Sequence, residues 1–314
     1  MKNKSLKMTA IIVLNYNTFQ KSCVCIDSCL KQKGTDYRIL LIDNCSTDDS
    51  YQRLKQLYSD KIDYFQTGSN YGYAGGNNRG VRYVIDKGYK YALLLNSDTE
   101  LVGECLLKSL VTIAENNRSC AVVAPTIFDV TKNGLVSHTN DYVYNKLLRK
   151  VHVLPVLEQR SDNLVTVSEA HGSALLVDCE RFIEVGGFPE HYFMYCEEST
   201  FAKKIIWRGY NILWSRDKAN FIYHHHDKSG AVAPWRVFLM GRNRAVEFYE
   251  NYHHQSWLWR PLYYVFKIKM FIDGWRSGNM HYYHGMISGQ KLYKQKSSKQ
   301  QIYEHGVHIM NSLK

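Results

Sequence analysis

The sequence predicts an α/β fold: a mostly parallel central sheet flanked by helices, followed by a helical C-terminal extension. Three observations carry this. Through the first hundred residues, apolar runs of strand length alternate with helical stretches. Each run ends in a polar cluster, at Asn15-Tyr16-Asn17-Thr18, Asp43-Asn44-Cys45-Ser46 and Asn96-Ser97-Asp98. From about residue 235 the chain turns aromatic, basic and helical.

Residues 9–14 read as a buried strand, and a helical stretch follows to about Lys33. A second strand spans 37–42, after which Ser46 or Thr47 is expected to cap a helix running to about Tyr58. A short strand at 62–66 leads into the glycine-rich segment NYGYAGGNNRG and then a helix ending near Asp86. The fourth strand, 91–95, stops at Asn96-Ser97-Asp98. Beyond residue 130 the pattern loosens into a polar stretch, 131–165, expected to run over the surface. An apolar segment at 173–177, the turn Gly186-Gly187-Phe188-Pro189, an acidic helix start at Glu197-Glu198 and two strands ending in His224-His225-His226 follow. Polar residues at successive strand ends place a site along the carboxyl edge of a parallel sheet. The first strand-to-helix turn lacks G-x-G-x-x-G, which disfavours a dinucleotide-binding domain.

Composition narrows the class. An apolar fraction of 45% is that of a globular chain, too high for disorder. The apolar run at 11–14 is too short for a signal or spanning segment, so a cytoplasmic location is expected. Eight cysteines without a CxxC pair behave as small hydrophobes; Cys23, Cys25 and Cys29 cluster without a second ligand pair for zinc. The net charge is +11, and +8 of it lies from residue 230 onward, where 12 Lys/Arg face 4 Asp/Glu. No nucleic-acid-binding motif accompanies that excess, so an anionic membrane surface is the better-matched partner. Trp257, Trp259, Tyr263, Tyr264 and Phe266, interleaved with Arg260, Lys267 and Lys269, are the residues expected there; packing on the rest of the chain or on a second subunit is the competing use.

Several residues stand where chemistry needs them. Asp43 closes a strand, where a carboxylate accepts hydrogen bonds from a base or ribose; an Asx turn is its plainer use. Gly75, Gly76 and Gly80 bracket Asn77-Asn78-Arg79, allowing close backbone approach, with Arg79 offsetting phosphate charge at a helix start. Asp98 at a central strand end suits a divalent cation that bridges phosphates. Glu197 and Glu198 open a helix, where the helix N-terminus alone favours carboxylates and where either could serve as a general base. His224 ends an apolar strand and offers an imidazole to a metal.

In order, NYNT, DNCSTD, NYGYAGGNNRG, LLLNSD, GGFPEHYFMYCEES, IYHHHDKSG and GRNRAVEF resemble the family-2 glycosyltransferases with the GT-A fold, and especially their rhamnosyltransferase and galactofuranosyltransferase-like branch. The resemblance covers roughly residues 9–250. It implies a nucleotide-diphospho-sugar transferase domain over 1–230, with a donor half of about 9–100 and an acceptor half of about 101–230, and a basic aromatic extension over 231–314. It implies inverting transfer of rhamnose, galactofuranose or a similar sugar from a UDP- or dTDP-sugar to a glycan or lipid-linked hydroxyl, in cell-surface polysaccharide synthesis. Asn15 and Asp43 match nucleoside-binding positions; Asn70, Asn78 and Arg79 match the donor-site loop, which also holds Gly75 and Gly76. Asp98 matches the last acid of the family's D-x-D motif, Asn96 standing in place of its first. Glu198 matches the base of the E-D motif, and His224 a histidine of the metal shell, the cation being Mg²⁺ or Mn²⁺. The base position carries Glu in place of Asp, and Thr200 stands where a further acid is common, which leaves Glu197 and Glu198 open as the base. These departures also keep a second function in view, a degenerate partner subunit that binds nucleotide sugar without turnover. Homo-oligomerisation is compatible with either.

Overall fold

The computed structural model describes residues 9–131, 134–138, 142–145, 150–153, 158–161, 163–225, 233–251 and 259–312. Its contacts divide the chain into two units, Met1–Phe188 with Phe201–Lys228, and Pro189–Thr200 with Ser229–Lys314. The segment Pro189–Thr200 is thus grouped with the C-terminal helices, although it lies within 1–230.

The first unit begins with β1 (Thr9–Asn15), α1 (Phe19–Cys29), β2 (Tyr37–Asp43), α2 (Ser50–Tyr58), β3 (Asp63–Gln66), α3 (Gly72–Asp86) and β4 (Tyr91–Asn96). It continues through β5 (Thr99–Val102), α4 (Leu106–Asn116), β6 (Cys120–Ala124), β7 (Ile127–Thr131), β8 (Gly134–His138), β9 (Tyr142–Asn145), β10 (Lys150–Val153), β11 (Glu158–Ser161), β12 (Leu164–Val167), β13 (Ala174–Asp178) and α5 (Cys179–Glu184). After α6 (Glu197–Trp207), β14 (Asn211–Ser215) and β15 (Phe221–His225) complete it.

The main sheet has nine strands in the order β11-β12-β14-β6-β13-β4-β1-β2-β3. β3, β2, β1 and β4 run parallel, as does the pair β14–β6, whereas β13 runs against both β4 and β6. Ala10 to Val13 are at most 1% exposed, so β1 is an unbroken apolar run because both of its faces are covered. Burying one such Ile or Leu side chain is worth about 1.5–3 kcal/mol. β1 has β2 on one side and β4 on the other, so the chain reverses its direction of growth there. Such a switch point opens a crevice at the carboxyl ends of the strands. A smaller sheet, β5-β15-β7-β8, and the hairpin β9-β10 accompany it.

The structure adds two sets of strands to the sequence expectations and corrects two of those expectations. The stretch 131–165 carries parts of β7 and β12 and the strands β8 to β11, which its polar composition does not announce. The chain past Asp98 enters β5, whose short length hid it. Ser46 and Thr47 do not cap α2: Asp49 occupies the N-cap, the Ser46 hydroxyl binds Asp43, and Thr47 binds Asn17. Most consequentially, the glycine-rich segment is helix, α3 starting at Gly72. Its glycines serve contact: a Cβ on Gly76 would lie 2.6 Å from Leu14 Cδ1, and one on Gly80 would lie 2.2 Å from Ile42 Cδ1. Each interior glycine costs a helix about 1 kcal/mol; the return is a helix seated directly on β1 and β2.

The second unit contains the segment Pro189–Thr200 and helices α7 (Pro234–Asn251), α8 (Trp259–Ser277), α9 (His281–Lys294) and α10 (Lys299–Ser312). α7 and α9 meet through glycines, with Gly241 against Tyr282 and Gly285 and Gly289 against the α7 backbone at Phe238 and Arg242. No helix among the described residues is long and apolar enough to cross a membrane.

Candidate active site

In the first unit, parallel register puts Asn15 beside Asp43 at the carboxyl edge. Asn15 Nδ2 donates to Asp43 Oδ1 at 2.9 Å, and Asn15 Oδ1 accepts from Thr18 and Ser22 at 2.8 and 2.9 Å. Asp43 Oδ2 accepts from Ser46 N and Gln66 Nε2 at 3.0 and 3.2 Å. Both residues are fully buried. A base or ribose reaching Asp43 would therefore take over a bond that Gln66 or Ser46 now makes. Asn44, which the sequence did not single out, ties in the next loop: its Nδ2 donates to Asn70 Oδ1 and Gly72 O, and its Oδ1 accepts from Tyr71 N.

Arg79 lies in mid-helix, not at the helix start expected for it. Its guanidinium donates to Gly75 O at 2.9 Å and sits 3.3 Å over the centre of the Tyr71 ring. Asn78 clamps backbone: its Nδ2 donates to Phe188 O at 2.8 Å, and its Oδ1 accepts from Phe188 N at 2.9 Å. This fixes the Gly187-Phe188 turn, where Gly187 has φ +61° and a Cβ would lie 2.7 Å from Asn78 Oδ1.

Asp98 and His224 do come together. β15 pairs with β5 and with β7, which sets His224 opposite Thr99 on one side and Asp129 on the other. His224 Nε2 is 3.3 Å from Asp98 Oδ1, and His224 Nδ1 is 2.9 Å from Asp129 Oδ1. Asn96 closes β4, its carbonyl accepting from the Thr99 hydroxyl. Burial alone would lower the His224 pKa, but the hydrogen bonds to Asp129 and Asp98 outweigh it and carry it to about 9. Burial would likewise raise Asp98; the His224 contact and Lys21, 3.9 Å away, leave it lowered. The Asp98 side chain is 26% exposed, while Asp129 is buried. His171 adds a second imidazole, its ring 5.5 Å from that of His224 and its Nδ1 bonded to Ser173. Sequence reading missed Asp129, though an acid inside the apolar strand Ile127-Phe128-Asp129-Val130 was a usable signal.

Among the described residues no three His, Cys, Asp or Glu side chains form a cage for a metal. Asp98 and His224 are a two-residue donor set of carboxylate and imidazole, with a second carboxylate behind the imidazole. That set fits a hard cation which takes its remaining ligands from phosphate and water. His226 lies outside the described residues. A cleft of roughly 570 Å³ lined by Thr9, Lys90, Tyr91 and Lys108 lies at the amino-terminal strand ends, the edge opposite these groups.

The acidic pair belongs to the second unit's segment. Phe193, Tyr195 and Cys196 have φ of 68°, 74° and 68°, and none is glycine. A left-handed residue with a Cβ costs roughly 1–2 kcal/mol. The turn is held by α7: Asn243 Nδ2 donates to the carbonyls of Tyr192, Met194 and Tyr195 at 3.1, 2.6 and 2.8 Å. The fully buried Arg242 donates to Tyr192 O and Ile302 O, each at 2.8 Å. Glu197 follows the turn, 2% exposed, and its Oε2 is buried without a hydrogen-bond partner among the described residues. Burial first, and then the neighbouring Glu198, hold its pKa well above the carboxylate range. Glu198 is half-exposed.

A mostly parallel sheet with strand-end amides, a carboxylate and an imidazole at its carboxyl edge defines a GT-A-like nucleotide-sugar transferase fold. Residues 10–176 match the profile of Glycosyl transferase family 2, and the chain belongs to that family. It is 30% identical over 239 residues to the low-salt glycan biosynthesis hexosyltransferase Agl10 of Haloferax volcanii, covering 75% of this chain and 73% of that one. It is 25% identical over 218 residues to the rhamnosyltransferase WbbL of Escherichia coli, covering 61% and 80%. The structure of GalNAc-T7 with UDP, GalNAc and Mn²⁺ aligns with a TM-score of 0.61 at 15% identity, over 78% of this chain and 48% of that one. That of S. aureus TarS aligns with a TM-score of 0.52 at 19% identity, over 77% and 40%. The chain spans half or less of these solved chains, and the likeness to them is one of fold.

Proposed function

We propose that this glycosyltransferase is inverting and metal-dependent, moving a hexosyl group such as rhamnose or galactofuranose from a UDP- or dTDP-sugar to the hydroxyl of a glycan or lipid-linked acceptor. Its setting would be the cytoplasm, at the inner face of the plasma membrane, in cell-surface polysaccharide synthesis. The observation that carries the reading is the pairing of Asp98 with His224 at the carboxyl edge of the sheet, backed by Asp129. Mg²⁺ or Mn²⁺ on Asp98 and His224 would neutralise the donor pyrophosphate. Asp129 would hold the Nδ1 proton of His224, and Nε2, protonated beside Asp98 in the metal-free chain, would become the ligand nitrogen on giving up its proton as the cation binds.

Of the two acids, Glu198 is the better base. It is half-exposed, whereas Glu197 is buried, and burial with the neighbouring Glu198 raises its pKa. Glu198 takes the proton as the acceptor oxygen forms its bond to the anomeric carbon; the bond to the diphosphate breaks on the opposite face and inverts the configuration. Asn15, Asp43, Asn70 and Arg79, with Gly75 and Gly76 of α3, would form the donor side, and Asn78 sets the Gly187-Phe188 turn. The relatives' printed names, hexosyltransferase and rhamnosyltransferase, support the donor class.

The test is transfer and donor hydrolysis with Mn²⁺ or Mg²⁺, after a thermal-shift screen of UDP- and dTDP-sugars, in which a bound donor raises stability by mass action. Asp98→Ala and Glu198→Gln are each expected to lower turnover at least about a thousandfold while leaving the melting temperature unchanged. Full activity in either variant overturns that residue's role. Donor binding without any hydrolysis or transfer by the native chain would assign it instead to a non-catalytic subunit.

A further inference from the structure

Helix α8 has two apolar faces, and one of them is covered. On the inner face Tyr263 is buried, its ring stacked 4.1 Å from Phe248 and edge-on to Tyr249 at 5.6 Å. Phe266 and Met270 pack on the same cluster, and Gly274 lies against Met280, whose sulfur would be 2.9 Å from an added Cβ. The outer face carries Tyr264, Val265, Ile268, Phe271, Ile272 and Trp275, exposed by 47, 64, 59, 45, 40 and 74%. At 100° per residue these six positions fall within about 120° of the helix circumference. A surface helix normally turns its polar side outward, so a continuous apolar stripe in water marks an interaction site. The stripe also revises the sequence expectation: Tyr263 and Phe266 point inward, and Trp257 lies outside the described residues.

The borders of the stripe identify its occupant. Arg260 and Lys267 flank one side and Lys269 and Arg276 the other, while Asp273, paired with Lys269, is the only acid on the helix. They belong to the stretch from residue 230 that holds +8 of the chain's +11. A second copy docking face to face would set one cationic border against another, which like-charge repulsion opposes. α8 has the length of a span but is not apolar enough to cross a bilayer, so it fits lying in the headgroup region. We propose that the outer face of α8 docks on an anionic lipid bilayer, its apolar side chains entering the headgroup boundary and its cationic borders pairing with lipid phosphates. The inference deepens the reading of a lipid-linked acceptor, which would be met at that surface. It is tested without donor or acceptor, so either can fail alone.

The experiment is co-sedimentation of the full chain with vesicles of phosphatidylglycerol and phosphatidylcholine, and with phosphatidylcholine alone. Binding is expected only to the anionic vesicles and should weaken as salt rises. Lys269→Gln with Arg276→Gln should weaken it by about fivefold per charge, and Val265→Asp with Trp275→Ser at least tenfold. All four positions are exposed, and circular dichroism verifies the fold. In the native chain, brominated lipid should quench tryptophan emission, and Trp275→Phe should lose most of that quenching while still binding. Absence of binding to anionic vesicles overturns the proposal, as does unchanged binding by the Val265→Asp, Trp275→Ser variant. Self-association in sedimentation velocity that this variant abolishes, with vesicles left unbound, would give the stripe to a second copy of the chain.

Discussion

His224 and Asp129 stand on paired strands, where register decides which side chains meet, and Asp98 on the short turn that joins β4 to β5; Glu197 and Glu198 follow a turn that no register dictates. In the first region strand pairing fixes the meeting: β15 beside β7 puts His224 across from Asp129, 95 residues away in sequence. In the second, three left-handed residues in four are held by an amide from α7, about fifty positions along the chain. The first arrangement is cheap to form and tuned by charge. The second stores unfavourable backbone, and its geometry is only as good as its clamp.

That contrast is broken most forcefully at Asn243. Asn243→Ala removes the two N–H donors that three backbone carbonyls share, and about 2–4 kcal/mol of stability is expected to go with them. Denaturant melts measure that loss. If the clamp also presents the acids, kcat should fall more than KM rises, and Asn243→Gln should restore part of it; equal activity per folded molecule would reduce Asn243 to a structural role. On the sheet side, Asp129→Asn keeps the shape but loses the charge behind His224. Metal affinity is expected to drop about 10- to 100-fold, read as a higher Mn²⁺ activation constant with little change in melting temperature. An unaltered constant would separate Asp129 from the metal. The test that reads out in pH belongs to Glu197. Its folded pKa lies above the unfolded one, so the folded state retains a proton that the unfolded state releases above about 4.5. Stability then falls as pH rises through that window, by at most about 1.4 kcal/mol per unit. Glu197→Gln should flatten this slope and raise the melting temperature at neutral pH, with no gain at pH values below 4.5; parallel profiles for the two proteins would show that Glu197 ionises freely.

The legibility of the molecule follows the same divide. β1, β2 and β4 could be read because each is an apolar run closed by polar residues, and a parallel strand buried on both faces has that pattern. Asp98 and His224 were visible as strand-end groups, and their meeting is what pairing delivers. The glycine-rich segment was misplaced because glycine signals loops by conformation, whereas Gly76 and Gly80 are there for the space that a missing side chain leaves. β5 and the strands between 131 and 161 are four or five residues each, too short for a period to show. Asn243 sat in a recognised motif, GRNRAVEF, but a clamp on carbonyls about fifty residues away leaves no local pattern. The outer stripe of α8 was blurred because both faces of the helix are apolar, so that sequence alone does not say which one packs.

β13 enters the sheet against its neighbours β4 and β6, with Ala174 opposite Leu95. An antiparallel strand begins where parallel ones finish, so whatever precedes it is delivered to the rim that Asn96 and Asp98 occupy. His171, close to the imidazole of His224, arrives by this route. A change in the residues just before Ala174 would therefore alter the surroundings of the reaction while β1 to β4 stay untouched.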